Sequence, residues 1–137
     1  MEKFVDVILP LPLHACFTYS LPEDMAESVQ IGCRVVVPFG RKKYYTAIVQ
    51  NIHYSAPAGY EVKEVSALLD AHPILLSEQF RFWDWLADYY LCTRGDVYKA
   101  ALPSGLKLES ETIVEYNPDF ESDVQLPEKE QKILDLL

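Results

Sequence analysis

Long uninterrupted apolar segments are absent from this sequence, although hydrophobic residues make up 50% of its 137 positions. The apolar stretch near the start, Val7 to Leu13, is broken by Pro10 and Pro12, follows Asp6, and lacks the basic region that opens a signal peptide. We therefore predict neither a secretory signal nor a membrane-spanning helix. The apolar content predicts a globular chain, not a disordered one.

Cysteine is also scarce. The three cysteines, Cys16, Cys33 and Cys92, are odd in number, far apart and without any Cys-x-x-Cys spacing. A disulfide framework needs paired cysteines, and a structural zinc site needs closely spaced ones. The pattern therefore favours reduced thiols in a cytoplasmic protein, with no metal site in this chain.

Sequence motifs for catalysis are missing as well. None of the five glycines stands in the Gly-x-x-x-x-Gly-Lys-Ser/Thr spacing that holds a nucleotide phosphate. His14, His53 and His72 are scattered, and no Cys-His or Ser-His-Asp set follows from the sequence. We expect no catalytic residue and no cofactor site within this chain.

Positive charge is limited, since the net charge is −9 at pH 7. Residues 1–107 hold ten basic and twelve acidic side chains, whereas residues 108–137 hold two and nine, so the acidity belongs mainly to the tail. The densest basic cluster, Arg41-Lys42-Lys43, directly follows Gly40. Such a domain cannot hold a long duplex by phosphate neutralisation alone, but one basic turn can grip a strand terminus. A solvated hairpin turn is the alternative for this triplet.

Five short segments rich in β-branched and aromatic residues, separated by proline and glycine turn signals, occupy the first half of the sequence. The third and fourth are joined through Arg41–Lys43 and predict a hairpin. Closely spaced strands before any helix indicate a small antiparallel barrel or sandwich. The predicted strands are Phe4–Leu9, Phe17–Leu21, Cys33–Phe39, Tyr44–Tyr54 and Val62–Leu69.

Two helices are predicted after the strands, which makes the fold class mainly β with two C-terminal helices. Ser77 is the expected N-cap of the first helix, and Thr93, with Asp96 three residues later, that of the second. The second helix ends at Pro103. The positions expected to form the apolar faces are Phe80, Trp83, Leu86, Ala87, Tyr90, Val97, Ala100, Ala101 and Leu102.

The tail differs in composition from the rest of the chain. Residues 108–126 are mostly polar and acidic and predict a linker, and Pro127 suits the first position of a helix with an acidic first turn. The apolar face of that helix, Ile133, Leu134 and Leu137, has no evident cover, which predicts a fragment cut inside a second domain. The predicted division is therefore a domain at 1–107, a linker at 108–126 and the first helix of a truncated domain at 127–137.

Short motifs stand in a fixed order along residues 4–107. They are Leu9-Pro10-Leu11-Pro12-Leu13, Phe17-Thr18-Tyr19, Leu21-Pro22, Gly32-Cys33-Arg34-Val35, Val37-Pro38-Phe39-Gly40, Val62-Lys63-Glu64-Val65, Leu69-Asp70, Pro73, Ala87-Asp88-Tyr89-Tyr90, Gly95-Asp96-Val97 and Ala101-Leu102-Pro103. No single motif is specific, but the ordered series resembles the start of the primosomal protein N′ (PriA) family of replication-restart helicases.

The resemblance implies an OB-like antiparallel barrel with packed helices, followed at the tail by the start of a winged-helix domain. It also implies that this part of the family holds the 3′-terminal nucleotide of the leading strand at a stalled fork, largely independent of sequence. The residues at the family's pocket positions are Phe17, Thr18, Gly40 and Lys63. Arg41, Lys42 and Lys43 are expected beside the pocket, in contact with the DNA backbone.

Each implied role has a physical reason and a plain structural alternative. Phe17 offers an aromatic face to any terminal base, or is ordinary core. Gly40 lets a sugar or base approach the backbone closely, or is a hairpin glycine with positive φ. Lys63 pairs with a phosphate, or is a surface lysine.

For the full-length protein the resemblance implies an ATP-dependent 3′-to-5′ DNA helicase. Its ATP, Mg²⁺ and zinc sites are expected beyond Leu137. The expected partners are branched or forked DNA with a free 3′ end, other primosome proteins and single-strand-binding protein, with no membrane. The main alternative is a small β-barrel interaction module that binds a peptide through exposed aromatics such as Tyr44, Tyr45 and Tyr54.

Thr18 departs from the family, which often has aspartate at this position. A carboxylate accepts a hydrogen bond from a 3′-hydroxyl with charge assistance and repels a 3′-phosphate, whereas a threonine hydroxyl forms only a neutral hydrogen bond. We therefore expect Thr18→Asp to discriminate more strongly between DNA ending in 3′-hydroxyl and in 3′-phosphate. The ratio of the two dissociation constants measures this, and equal ratios in both proteins contradict it.

Overall fold

One antiparallel sheet dominates the computed structural model, which describes residues 1–108, 111, 113–120 and 125–136. The strand order is β2-β1-β4-β3-β5, and the helices follow the strands in the chain, so the prediction of a mainly β, OB-like chain with helices after the sheet is confirmed. The strands are β1 Phe4–Ile8, β2 Phe17–Ser20, β3 Arg34–Phe39, β4 Lys43–His53 and β5 Ala67–Leu68.

The predicted hairpin between β3 and β4 is present. Arg34 pairs with Ile48 at one end and Phe39 with Lys43 at the other, without a break in register. Gly40 makes the turn with φ of +73°, a left-handed conformation that glycine adopts without strain. The β-branched residues of both strands suit this half-buried pairing.

The two faces of the sheet bury different clusters, because successive strand residues point to opposite sides. Val5 and Val7 of β1 belong to the cluster inside the curved sheet, whereas Ile8 belongs to the cluster under the helices. Each buried aliphatic side chain stabilises the fold by about 1.5–3 kcal/mol relative to exposure. The inner cluster is Val5, Val7, Leu9, Tyr19, Leu21, Val29, Val35, Val37, Ala47, Val49 and Val65, and the helix-side cluster is Ile8, Ile48, Leu75, Trp83, Ala87, Val97 and Tyr98.

A single parallel bridge joins β2 to the chain that leads into β5. The backbone N of Ser20 donates to Lys63 O at 3.0 Å, and the backbone N of Val65 donates to Ser20 O at 3.0 Å. Glu64 lies opposite Ser20 in this bridge. Within the described residues no regular strand pairing continues it, so the sheet is not closed into a complete barrel.

The fifth strand is much shorter than predicted. Directly after the bridge, the backbone N of Ser66 donates to Val36 O at 2.8 Å, so the chain has moved from β2 to β3. A segment that changes partner cannot form one continuous ladder. The prediction of a strand at Val62–Leu69 is therefore wrong in length, and only Ala67–Leu68 is regular.

The helices α1, Ser77–Tyr90, and α2, Arg94–Ala101, begin with different caps. The prediction of Ser77 as N-cap is wrong, because Leu76 is the cap residue and Gln79 Oε1 accepts a hydrogen bond from its backbone N at 2.8 Å. Thr93 is confirmed as the N-cap of α2, since its Oγ1 accepts from the backbone N of Asp96 at 3.2 Å.

Helix α2 buries a tyrosine that the sequence prediction did not place in the core. Tyr98 is 0% exposed, and its hydroxyl donates to Thr46 O of β4 at 2.7 Å, which gives a helix residue a polar contact with the sheet. Ala100 and Ala101 are exposed, contrary to prediction. Tyr90 is also exposed, contrary to prediction, and lines a groove between α1 and α2.

The chain after α2 is fixed to the sheet before the tail begins. The short 3₁₀ helix η1, Ser104–Leu106, follows α2. Leu106 O accepts from Arg34 Nη1 at 3.0 Å, and Leu108 O accepts from both the backbone N and Oγ1 of Thr46, at 3.2 and 2.8 Å.

The predicted tail helix is present as α3, Glu128–Leu136. Pro127 directly precedes it, and its carbonyl oxygen accepts from the backbone N of Gln131 at 3.0 Å. Ile133 is exposed, as expected for an apolar face without cover, and Leu137 lies outside the described residues. Parts of the predicted linker, residues 109, 110, 112 and 121–124, also lie outside them. None of the helices in the described ranges has the length and hydrophobicity needed to cross a membrane.

The start of α2 packs directly on the extended segment after β1. A Cβ atom at Gly95 would collide with the backbone carbonyl oxygens of Leu9 and Leu11. Backbone cannot swing aside as a flexible side chain can, so only glycine permits this approach.

We expect Gly95→Ala to lower the free energy of unfolding by about 3 kcal/mol, because the helix must move away from the Leu9–Leu11 segment. Urea unfolding measures this. Gly105→Ala is the matched control, because a Cβ there meets no atom within 4 Å, and we expect a change within about 0.5 kcal/mol. Equal stability of the two variants contradicts the prediction.

Arg34 and Asp70 form a largely buried ion pair. The guanidinium donates from Nε to Oδ2 at 2.9 Å and from Nη2 to Oδ1 at 2.8 Å, and the backbone N of Arg34 donates to Oδ2 at 2.9 Å. The side-chain hydrogen bond from Arg34 lowers the pKa of Asp70 below its ordinary value of 3.8 against the opposing effect of burial.

We expect Asp70→Asn to lower the free energy of unfolding by about 2–3 kcal/mol at pH 7. Because the pKa of Asp70 is lowered in the folded state, this contribution is present above pH 3.8 and is lost as the pH falls through the folded pKa. The difference between parent and variant in urea unfolding should therefore shrink below pH 4. A constant difference over this range argues against the ion pair, and Asp88→Asn on the exposed side of α1 is the control.

Candidate functional site

A pocket of about 230 Å³ lies where the sheet fails to close. One wall is the edge strand β2, the second is the end of β3 with its turn, and the third is the chain just before the Ser20–Glu64 bridge. We call it the edge pocket. Its lining residues are Phe17, Thr18, Tyr19, Pro38, Phe39, Gly40, Tyr60, Glu61 and Lys63.

The edge pocket brings together the four pocket residues predicted from the sequence. Phe17, Thr18, Gly40 and Lys63 come from three separate segments, yet all four line the same cavity. Lys63 lies just before β5 and not within it, because the fifth strand is short. Their part in binding a ligand remains a prediction.

Aromatic rings form the apolar wall of the edge pocket. Phe17 and Phe39 meet edge to face, with ring centroids 5.3 Å apart. Tyr19 is buried beside them, and its hydroxyl donates to Pro38 O at 2.9 Å, which ties β2 to the end of β3. Burial, with a smaller contribution from Tyr60, raises the pKa of Tyr19 to about 12, so its hydroxyl stays protonated and keeps donating. Phe17 is only partly buried and keeps ring surface for a ligand.

Lys63 spans the mouth of the pocket. Its ammonium donates to Gly40 O at 2.7 Å, which leaves two further hydrogens for another acceptor. The positive φ of Gly40 explains why glycine stands in this turn, and no atom lies within 4 Å of a Cβ built there. Gly40 therefore both adopts the backbone conformation that the hairpin turn requires and leaves room for a ligand to approach its backbone.

Arg41, Lys42 and Lys43 are exposed beside the edge pocket and do not line it. Arg41 and Lys42 form the turn after Gly40, while Lys43 begins β4. Three adjacent cations at the rim create a positive potential there, although the chain as a whole carries a net charge of −9. Their contact with a DNA backbone remains a prediction.

Tyr60 and Glu61 line the edge pocket and were not anticipated from the sequence. The Tyr60 hydroxyl accepts a hydrogen bond from the backbone N of Thr18 at 3.2 Å, at the open edge of β2. Both residues belong to an irregular segment after Gly59, and only the three-dimensional structure places it next to β2. Composition and spacing carry no signal for such a contact.

The hydroxyl of Thr18 bonds to a carboxylate on the next strand. Thr18 pairs with Asp6 across β1 and β2, and Thr18 Oγ1 donates to Asp6 Oδ1 at 2.6 Å. From the sequence, Thr18 was expected to act as an uncharged group on its own. The cross-strand pair places a negative charge directly behind it.

A β-bulge assembles a polar cluster around this carboxylate. Val7 pairs with Val49, but Asp6 pairs with Asn51, so Gln50 is the extra residue in β4. The extra residue reverses the alternation of β4, so that Asn51 and His53 lie on the side of Asp6, whereas Ile52 packs against the inner cluster.

Asp6 accepts hydrogen bonds from three side chains in this polar cluster. Besides Thr18, His53 Nε2 lies 3.0 Å from Oδ1 and Asn51 Nδ2 donates to Oδ2 at 3.4 Å. His53 Nδ1 accepts from the backbone N of Ser55 at 3.2 Å, so Nε2 carries the hydrogen. Burial opposes ionisation of Asp6, but these hydrogen bonds together outweigh it and lower the pKa of the carboxyl.

The aromatics proposed for a peptide groove do not form one surface. Tyr44 and Tyr54 are about half exposed, at 47% and 55%. Tyr45 packs against the inner cluster, with its ring 6.0 Å from that of Phe39. Adjacent residues Tyr44 and Tyr45 thus face opposite sides of β4, which does not favour a shared peptide site.

Comparison with known proteins identifies the family. A family model described as the 3′ DNA-binding domain (3′BD) of PriA matches residues 6–103, more than half of the chain. The chain belongs to the PriA family. A second model, described as a winged helix domain, matches residues 111–137 and includes α3. The PriA match covers the end of β1, the other four strands, α1, α2 and all residues of the edge pocket, so the peptide-module alternative is not favoured.

Individual PriA proteins show the same similarity. The replication restart protein PriA of Bacillus subtilis is 32% identical over 120 residues, which cover 86% of this chain. That of Haemophilus influenzae is 40% identical over 110 residues, which cover 77% of this chain. The aligned parts span only 15% and 14% of the lengths of these relatives.

Proposed function

We propose that the edge pocket binds the 3′-terminal nucleotide of DNA, largely independent of sequence. The observation that carries the proposal is the meeting of Phe17, Thr18, Gly40 and Lys63 in one cavity of a PriA-family 3′ DNA-binding domain. The cavity is about 230 Å³ and open at the edge of the sheet, which suits the end of a chain and not its middle.

The aromatic wall accounts for binding without sequence preference. Every base has a flat face, and stacking of a base on an aromatic ring contributes about 1–3 kcal/mol whatever the base. Phe17 supplies such a ring, and Phe39 fixes its orientation by the edge-to-face contact at 5.3 Å.

The charges around the pocket account for recognition of a terminus. Lys63 has hydrogens left for one phosphate, and Arg41, Lys42 and Lys43 guide the preceding backbone toward the mouth. Glu61 limits the positive charge inside the pocket itself. A site with a single inward cation holds one nucleotide and does not clamp a long duplex.

We further propose that the chain serves a replication restart protein that acts on branched or forked DNA with a free 3′ end at stalled forks. The support is the name of the relatives, replication restart protein PriA, and the ordered motifs of residues 4–107. The same proposal gives the full-length protein a 3′-to-5′ helicase activity driven by ATP and Mg²⁺, and a zinc site. It also gives it other primosome proteins and single-strand-binding protein as partners, and a cytoplasmic location. The division into 1–107, 108–126 and 127–137 is also part of this proposal.

Fluorescence anisotropy with short labelled DNAs tests the pocket. The DNAs are identical except that the 3′ end is free in one and closed by a hairpin in the other. We expect the free end to bind more tightly. Phe17→Ala should weaken that binding about 5- to 150-fold through lost stacking. Lys63→Ala should weaken it and reduce the salt dependence by about one phosphate contact.

Matched controls separate the pocket from general effects. Lys107→Ala is the control for Lys63, because Lys107 Nζ also donates to a backbone carbonyl, that of Lys99 at 2.6 Å, outside the pocket. Phe82→Ala removes an exposed ring from α1. Both should bind like the parent chain. Equal affinity of the folded parent for free and closed 3′ ends contradicts the proposed function.

A further inference from the structure

The direction of the hydrogen bond made by the Thr18 hydroxyl in the polar cluster is fixed. Its hydroxyl gives its one hydrogen to Asp6 Oδ1 at 2.6 Å, so only the acceptor lone pairs of Oγ1 remain for a ligand. Reversing the hydroxyl would leave the ionised Asp6 without its shortest hydrogen bond. The direction of this bond is therefore set by the carboxylate.

Thr18 is also placed to meet a ligand. β2 is the edge strand of the sheet, and Thr18 lines the edge pocket. Its backbone N points out of the sheet edge to the pocket residue Tyr60. A ligand atom that lies against this edge therefore meets the hydroxyl as an acceptor, with the charge of Asp6 behind it.

Hydroxyl and phosphate termini respond differently to such an acceptor. A 3′-hydroxyl has a hydrogen to donate to Thr18 Oγ1. A phosphate at neutral pH carries about −1.5 to −2 charges and presents mainly acceptor oxygens. Its oxygens would face the lone pairs of Thr18 and the negative charge of Asp6, which is unfavourable.

We propose that Asp6 is a positioning residue that acts through Thr18 to make the edge pocket select a 3′-hydroxyl over a 3′-phosphate. The proposal rests on the proposed function, because it takes the terminal nucleotide to be the ligand. Thr18 has no charge of its own, but its hydroxyl transmits the preference of a carboxylate on the neighbouring strand.

Glu61 is the competing source of the same selectivity, since its carboxylate also lines the pocket. The two carboxylates differ in one testable respect. Asp6 acts through the hydroxyl of Thr18, whereas Glu61 needs no intermediary. Removal of that hydroxyl therefore abolishes the effect of Asp6 and leaves that of Glu61.

The experiment compares three labelled oligonucleotides that differ only at the last sugar, which carries a 3′-hydroxyl, a 3′-hydrogen or a 3′-phosphate. Dissociation constants are measured by anisotropy with the whole 137-residue chain. The hydroxyl-to-hydrogen ratio reports the hydrogen bond to Thr18. The hydroxyl-to-phosphate ratio reports the added effect of charge, and circular dichroism verifies that each variant is folded.

We expect Asp6→Asn to reduce the preference for hydroxyl over phosphate by about 5- to 10-fold, the difference between a charge-assisted and a neutral hydrogen bond. The amide oxygen of Asn still accepts from Thr18, so the change concerns charge and not the loss of a partner. In combination with Thr18→Val, Asp6→Asn should have no further effect. The double variant Asp6→Asn with Thr18→Asp should recover the preference, because it returns one carboxylate to the pair.

Three comparisons make the result specific. Thr18→Val alone should lose the preference for 3′-hydroxyl over 3′-hydrogen, which keeps the proposal testable should Asp6→Asn fail to fold. Glu61→Gln should reduce the phosphate penalty equally with and without Thr18→Val. Asp88→Asn removes one exposed negative charge outside the pocket and should change neither ratio.

An unchanged hydroxyl-to-phosphate ratio in Asp6→Asn overturns the proposal. So does an equal reduction with and without Thr18→Val, because Asp6 would then act by long-range charge alone. In both cases the parent chain still prefers free 3′ ends, and the proposed function stands. Equal binding of free and closed ends by the parent chain defeats the proposed function, and this inference falls with it.

Discussion

The bridge between Ser20 and Glu64 is the constraint on which the rest of the structure depends. It holds the chain before β5 against β2, while the next residues pair with β3. A longer fifth strand would pair along all of β2 and fill the space beside Phe17 with backbone. Because the connection is limited to one point, the sheet keeps its curved core and also leaves an opening at its edge. The candidate site is this opening.

The bulge at Gln50 places a polar cluster next to this opening. Without the extra residue, Asn51 and His53 would face the core, where unpaired polar groups are costly. With it, they hold Asp6 in place behind Thr18. The pocket thus has an apolar inner side, made by alternate residues of β2, and a polar support on the opposite face of the same strand. The edge strand β2 therefore contributes to the apolar side of the pocket and to its polar support.

The sequence predicted the parts of this fold that depend on local chemistry. Alternating β-branched residues and the glycine turn were sufficient for the hairpin of β3 and β4, and Thr93 with Asp96 was sufficient for the start of α2. The length of β5 was not predictable, because it depends on a change of partner strand. Tyr98 was missed because its burial requires the carbonyl of Thr46, which only the packed structure brings near.

The same distinction holds at the pocket. The ordered motifs pointed to Phe17, Thr18, Gly40 and Lys63, and the fold brings these four together. Tyr60, Glu61 and Asp6 could not be found in this way. Tyr60 and Glu61 lie on an irregular segment, and Asp6 matters through a cross-strand register and a bulge. Neither feature leaves a pattern in the sequence.

The attachment of Leu108 to Thr46 has a consequence for the part of the chain that follows. Two hydrogen bonds to one carbonyl give the tail a fixed point of origin on β4. The eighteen residues from 109 to 126 can then extend no farther than about 60 Å, at 3.3–3.6 Å per residue. The start of α3 therefore lies no farther than this from its point of attachment on β4.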